Sequence, residues 1–315
     1  MISYVGARLL QSIPVLFLTS VAVFLFIHLI PGDPAVTMAG QSATPEQVAA
    51  LHRRFGLDKP LPVQYVTWIT HIARGDFGTA YVTQRPIRDL ILQRLPATLH
   101  LAIGAMLITL LLGVPFGVFS AVRPHHPLSR LIGLFNAVAL ATPTFWLGIV
   151  LVYLFAVSLH WLPASGYVSI TKNPLQSVRL LLLPSLTLGA AGTAVLIRFL
   201  RSSLLEALNA DFVRVAYAKG LRERAVVLRH VMKVALPPVA TVMAVQFGYL
   251  LGGAVITEAI FGWPGLGRLM IDAIGAKDYL IVQGTMLVFV GTFIAINILA
   301  DVCYALLNPR IRYGS

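Results

Sequence analysis

Six apolar stretches mark the chain, near Leu9–Ile30, Ala97–Val122, Leu131–Val157, Leu180–Ile197, Ala235–Thr257 and Leu280–Leu307. A helix needs about 20 apolar residues to cross the hydrocarbon core of a bilayer. Lipid offers the backbone no hydrogen-bond partners, so a spanning segment is either a helix or a strand of a closed barrel. These runs are too long and too unbroken for barrel strands, in which lipid-facing and lumen-facing positions alternate. The pattern therefore predicts an all-α polytopic membrane protein with six transmembrane helices. The first run is longer than the roughly 7–15 apolar residues of a signal peptide, and no A-x-A site follows it, so it reads as a retained span.

The long segment between the first two spans, Pro31 to Pro96, is patterned as well. Thr44 is placed to cap a helix, with Pro45 in its first turn and Gln47 three residues on, as in a capping box; Gly56 ends it. Val63, Val66, Ile69 and Ala73 fall on one helical stripe, and Pro86 to Leu95 forms a third amphipathic piece. Two roles fit this segment: a small cap packed on the spans, or a docking surface for a soluble partner.

Composition agrees with the spans. Hydrophobic residues make up 57% of the 315 and charged residues 11%, and mean hydropathy is +0.82. These values exclude a disordered chain, a disulfide scaffold and an ordinary soluble enzyme. The single cysteine, Cys303, has no internal partner. Net charge is +12. No basic stretch is interleaved with aromatics for stacking on bases, so the excess is assigned to loops at the membrane and not to nucleic acid. With the N-terminus inside, the inner segments hold 13 Lys and Arg and the two short outer loops hold four (Lys172, Arg179, Arg268 and Lys277). Basic residues gather in short cytoplasmic loops, so both termini are expected in the cytoplasm.

Little points to catalysis. There is no Walker A pattern, no H-E-x-x-H and no G-x-S-x-G. Asp76-Phe77-Gly78 matches the kinase tripeptide without any other kinase element, and His125-His126 is an isolated pair. No catalytic residue and no metal ligand is expected. Only Glu258 and Asp301 are acids in or beside spans, both near span ends, whereas ion-driven transporters place carboxylates deep in the bilayer. Energy for transport would then come from another subunit.

Several residues invite a role. Prolines occur within spans at Pro14, Pro115, Pro143, Pro184 and Pro237-Pro238. Pro143 lies between Thr142 and Thr144, where a hinge or path-lining role and a fixed packing kink fit equally. Gly248 and Gly252 on the fifth span suit close helix approach or ordinary packing. Asp301, in an apolar span, needs a partner; it is expected to pair with Arg198 or Arg201, or else to reach headgroup water or a backbone group. Between the fourth and fifth spans, Asn209 or Asp211 can start a short helix that Gly220 ends, and a second helix runs from about Arg222 to Lys233. Such a corner suits transmission of a push from a cytoplasmic partner, or is simply a solvated basic loop.

Asp211-Phe212-Val213-Arg214-Val215-Ala216-Tyr217-Ala218-Lys219-Gly220-Leu221, followed by His230 and Leu236-Pro237, resembles the EAA coupling motif of permease subunits of ATP-binding-cassette importers. The form is that of the dipeptide, oligopeptide and nickel group. Pro31-Gly32-Asp33-Pro34, Leu57-Asp58-Lys59-Pro60-Leu61, Gly75-Asp76-Phe77-Gly78, Trp161-Leu162-Pro163, Leu183-Pro184-Ser185-Leu186, Phe261-Gly262-Trp263-Pro264-Gly265-Leu266-Gly267-Arg268 and Asn308-Pro309-Arg310-Ile311-Arg312 agree in order along the chain. The chain departs from the general motif at Arg214, where the motif leads with Glu, and in a longer interval from Gly220 to Leu236-Pro237.

The resemblance implies a type I importer transmembrane domain in a bacterial inner membrane. It divides the chain into a first helix with its outer loop (1–95), a transmembrane domain (96–308) containing a coupling loop (204–236), and a cytoplasmic tail (309–315). It implies a heterodimer with a second, similar permease, two ATP-binding subunits that hold ATP and Mg, an extracytoplasmic substrate-binding protein and membrane lipid as partners. No cofactor is expected in this chain itself. Asp211, Arg214, Ala216, Lys219, Gly220 and Leu221 would couple to the ATPases. Small peptides are the expected substrate, with glutathione or nickel as alternatives. A membrane-embedded enzyme or a scaffold is the reading outside transport.

Overall fold

The computed structural model describes residues 2–29, 35–36 and 44–307. Its helices are α1 (Ile2–Leu29), α2 (Pro45–Phe55), α3 (Leu61–Ala73), α4 (Ile87–Val122), α5 (Pro127–Ala141), α6 (Thr144–Ser158), α7 (Pro174–Leu208), α8 (Asp211–Ala218), α9 (Glu223–Ile260), α10 (Leu266–Gly275) and α11 (Tyr279–Leu307). Five of them, α1, α4, α7, α9 and α11, are long and apolar enough to cross a bilayer unaided.

The expected third span is not one rod. It breaks into α5 and α6, whose axes meet at 113°. Pro143 supplies no N–H and biases Thr142 away from the helical region, so Thr142 is extended (φ −85°, ψ 124°). Thr142 closes α5 by donating both its N–H (2.9 Å) and its hydroxyl (2.7 Å) to the Val138 carbonyl. α6 then ends in wider π-type turns from Val152 to Ser158.

At 36 residues, α4 runs about 54 Å, more than the whole bilayer thickness. Pro86 to Leu95 is therefore not a separate amphipathic piece but largely the N-terminal extension of the second span. Its Ile87, Leu90 and Ile91 are buried with Leu266, Ala273, Ile281 and Val282 of α10 and α11. The principal contact of the bundle is α4 against α7. Gly104, Gly113 and Gly117 on α4 lie so close to Ser185, Leu196 and Leu200 that a Cβ at any of them would crowd those side chains. Gly248 of α9 likewise faces the Phe293 ring of α11, whereas a Cβ at Gly252 would meet nothing.

In the segment between the first two spans α2 starts as expected. Thr44 accepts from the Gln47 N–H (3.4 Å) and its own N–H donates to the Gln47 side chain (3.0 Å); Gly56 closes the helix at φ 65°. α3 forms, but the predicted Val63/Val66 stripe points outward, and no residue of α3 is fully buried. Aromatic stacking sets its face instead: Tyr65 and Trp68 pack on Phe24 of α1, and the Tyr65 hydroxyl lies 2.7 Å from that of Ser20. Asp76 accepts from the Gly78 N–H (2.9 Å) and from His71 (2.9 Å), which closes the turn after α3 and holds the Asp76 carboxyl below its usual range. Asp278, just before α11, accepts from the backbone N–H of Tyr81 (2.6 Å) and so ties this segment to the bundle. Burial pushes its carboxyl above the usual range.

Candidate coupling site

α7 continues past the apolar core to Leu208, where Asn209 ends it by donating its side-chain amide to the Leu205 carbonyl (3.0 Å). Asn209 therefore closes one helix and does not start the next. Ala210 occupies the N-cap of α8 without a side-chain bond, and Asp211 is its first residue, close to the positive end of the helix dipole. At the far end the Gly220 N–H donates to the Tyr217 carbonyl (2.9 Å) and the Leu221 N–H to the Ala216 carbonyl (3.3 Å). This is a Schellman closure, which requires a left-handed residue; Gly220 has φ 77°.

The second helix of the loop, expected from about Arg222 to Lys233, does not end there. It is the first part of α9, which runs unbroken into the fifth span. Wider π turns cover Val226–Val231, and Val226, Val227 and Val231 are buried there. Such turns re-aim side chains within a helix that keeps its direction.

α8 has two faces. Val213 and Ala216 are buried with Leu200, Leu204 and Ala207 of α7, Val226, Val231, Ala235 and Val239 of α9, and Ala121 of α4. Phe212, Val215, Tyr217 and Leu221 are exposed, as are Asp211, Arg214 and Lys219. Arg214 lies 3.7 Å from Asp211 in a solvent-exposed pair of little energetic weight. Two further bonds join the helices around α8. Arg123 at the end of α4 pairs with Glu223 at the start of α9 (2.9 Å), and the Ser203 hydroxyl of α7 donates to the Ala235 carbonyl of α9 (3.0 Å). α8 therefore shares one apolar cluster with α7, α9 and α4.

The other end of the bundle holds a group that sequence reasoning left without a role. Glu258, fully buried near the C-terminal end of α9, accepts from the Thr98 hydroxyl of α4 (2.6 Å) and from the Arg268 N–H (3.0 Å) at the start of α10. Thr98 in turn accepts from the Leu266 N–H (2.8 Å). Trp263, also fully buried, donates its indole N–H to the Ala97 carbonyl (2.8 Å). A Cβ at Gly265 would overlap the Glu258 carboxyl. The segment Phe261 to Arg268 is thus a latch that joins the N-terminal half of α4, the C-terminal end of α9 and the start of α10. The usable signal was an acid at a span end, followed by glycines and a new helix start.

The other sequence-predicted residues lie apart from α8. Thr142, Pro143 and Thr144 form the corner between α5 and α6. Arg198 and Arg201 line a cavity between α5 and α7. The Asp301 side chain lies outside the described residues, as do Pro31 to Pro34 and Asn308 to Arg312. Among the described residues no group of His, Cys, Asp and Glu is arranged to hold a metal ion.

Residues 113–313 match the family of binding-protein-dependent transport system inner membrane components, and residues 1–102 match the N-terminal model of the same system. The chain belongs to this family. Among its relatives, the glutathione transport system permease protein GsiC of Salmonella typhimurium is 44% identical over 313 residues, covering 99% of this chain and all of the relative. GsiC of Escherichia coli K12 is 42% identical over 313 residues, with the same coverage. A probable peptide ABC transporter permease of Sinorhizobium fredii is 39% identical over 310 residues, 98% of this chain and 99% of the relative. A chain of the MetNI methionine ABC transporter, in an inward-facing conformation, superposes with a TM-score of 0.57 at 17% identity, covering 70% of this chain and 96% of that one. As a binding-protein-dependent inner membrane component, the chain is a multi-pass permease subunit of an ABC importer with the type I transmembrane fold. It works with ATP-binding partners and a substrate-binding protein.

Proposed function

We propose that this permease pairs with a second, similar permease to enclose a path for short peptides, glutathione among them. The glutathione and peptide names of its full-length relatives support that substrate class. The path would open alternately to the two sides as two ATP-binding subunits bind and hydrolyse ATP with Mg. No ATPase site is assigned to this chain, which has no Walker A pattern.

The observation that carries the mechanism is the double face of α8. Its inner side is part of the apolar cluster that joins α7, α9 and α4, and its outer side presents Phe212, Val215, Tyr217 and Leu221 beside Arg214 and Lys219. The outer side is the contact for an ATP-binding subunit, and the inner side passes that subunit's movement to the spans. Asp211 places its charge at the positive end of the helix, and Gly220 closes the other end. With α8 in the cytoplasm, both termini are cytoplasmic and residues 44–86 face outward. The corner at Thr142, Pro143 and Thr144 serves as a hinge between α5 and α6.

Two measurements test this function. Affinity purification of this chain from cells expressing its gene neighbours should bring down an ATP-binding subunit and a second permease. Uptake of labelled glutathione and of labelled dipeptides should depend on this chain. Purification without an ATP-binding subunit would remove the coupling role. Uptake unaffected by deletion for every short peptide tried would remove the substrate class.

A further inference from the structure

A second set of polar groups meets on the α8 side of the bundle, between α5 and α7. Arg198 and Arg201 stand one turn apart on α7 and, with Ser202 of α7 and Gly133 and Asn136 of α5, line a cavity of about 270 Å³. One water takes about 30 Å³ of liquid, so the space admits a tetrahedral oxyanion with waters around it. Two polar atoms of the lining residues, Arg201 Nε and Asn136 Oδ1, are fully buried and have no hydrogen-bond partner among the described residues. A buried donor with nothing to bond is costly, and a cation beside it more so. The described ion pairs of the chain lie elsewhere, at His71–Asp76, Arg123–Glu223, Asp211–Arg214 and Arg268–Asp272. An amide that turns about its axis presents its NH₂ in place of its oxygen, so Asn136 can also donate to an anion.

Position narrows the choice of anion. Arg198 and Arg201 precede Leu208, the end of α7, by about 15 and 10 Å along the helix axis. The cavity also reaches Ser120 and Ser129, which flank the turn between α4 and α5. It therefore sits near the level of the inner headgroups. Arg198 is exposed, so the site is accessible from outside the subunit. The cytoplasmic leaflet carries anionic lipid, and basic pockets between helices on that side take headgroup phosphates. The planar guanidinium fork matches the geometry of a phosphate.

We propose that this cavity binds a phosphate oxyanion, supplied by the headgroup of an anionic phospholipid of the inner leaflet. The choice of leaflet rests on the orientation given above, which reporter fusions test independently.

The experiment is native mass spectrometry of the assembled transporter in neutral detergent, titrated with phosphatidylglycerol or phosphatidylcholine. Phosphatidylglycerol should be retained in preference to phosphatidylcholine. The double variant Arg198→Gln, Arg201→Gln should bind it about 25-fold more weakly, from a factor of about five per arginine. Arg130→Gln, on the exposed side of α5, should change nothing. A Cβ at Gly133 meets nothing within 4 Å, so Gly133→Leu should fill the cavity and lose retention with both charges intact; this keeps the test valid if the double variant does not assemble. Parent-like affinity in both the double variant and Gly133→Leu would overturn the site, and equal retention of the two lipids, each of which carries a headgroup phosphate, would overturn the anionic lipid as its source. Displacement of bound lipid by glycerol 3-phosphate at matching concentration would overturn the lipid as its source. A gain of lipid in Asp301→Asn would show that Asp301 already occupies the arginines, and would overturn the site in the native chain.

Discussion

The Thr98 hydroxyl donates to Glu258 at 2.6 Å while its oxygen accepts the Leu266 N–H at 2.8 Å. One hydroxyl thus joins α4 to both α9 and α10. A donor and an acceptor role in a fully buried place leave little tolerance for change. Thr98→Val keeps the shape and removes both bonds. It should cost about 1–3 kcal/mol, the usual penalty for buried polar groups left unpaired. The thermal midpoint of the purified transporter should fall accordingly, and Thr98→Ser should restore most of it. A valine variant as stable as the parent would mean that the latch carries no load.

The corner at Pro143 gives a second expectation. α6 is seated by Gly148 against Thr187 of α7 and Phe261 beyond α9, so its packing does not depend on the proline alone. Pro143→Ala restores a backbone N–H and lets α5 propagate toward α6. Assembly should persist, while the uptake rate falls severalfold if the corner works as a hinge. Unchanged uptake would leave a packing kink.

Orientation is open to a direct check. A reporter fused at Ser42 should be extracytoplasmic, and one fused after Ser315 cytoplasmic. Both reporters on one side would contradict an odd number of crossings between Ser42 and the C-terminus.

Much of this architecture was legible in the chain because its causes are local. Length and apolarity gave the spans, Thr44 and Gln47 gave the start of α2, and Gly220 gave the end of α8. What was not legible depends on contacts between distant residues. The stripe on α3 was marked by Val63 and Val66, yet Tyr65 and Trp68 set the packed side of the helix because Phe24 offers them an aromatic partner. Pro143 announced a kink, but a bend of 113° follows from where α7 and α9 seat α6. Asp211 looked like a cap, and Ala210 holds that position because α7 runs on to Leu208. Glu258 and Trp263 stood out as residue types, but their partners Thr98 and Ala97 lie some 160 positions earlier.

Coupling through α8 is tested most directly at Gly220. A Cβ there meets nothing within 4 Å, so a substitution acts through the backbone alone. At φ 77° a β-branched residue costs about 1 kcal/mol or more, whereas asparagine tolerates the left-handed region. The measurement is ATP hydrolysis and peptide uptake by the whole transporter in proteoliposomes, for the parent, Gly220→Asn and Gly220→Val. The valine variant should assemble and hydrolyse ATP while its uptake per ATP falls severalfold, and the asparagine variant should stay near the parent. Uptake per ATP in Gly220→Val equal to that of the parent would contradict the role of α8 as the coupling element.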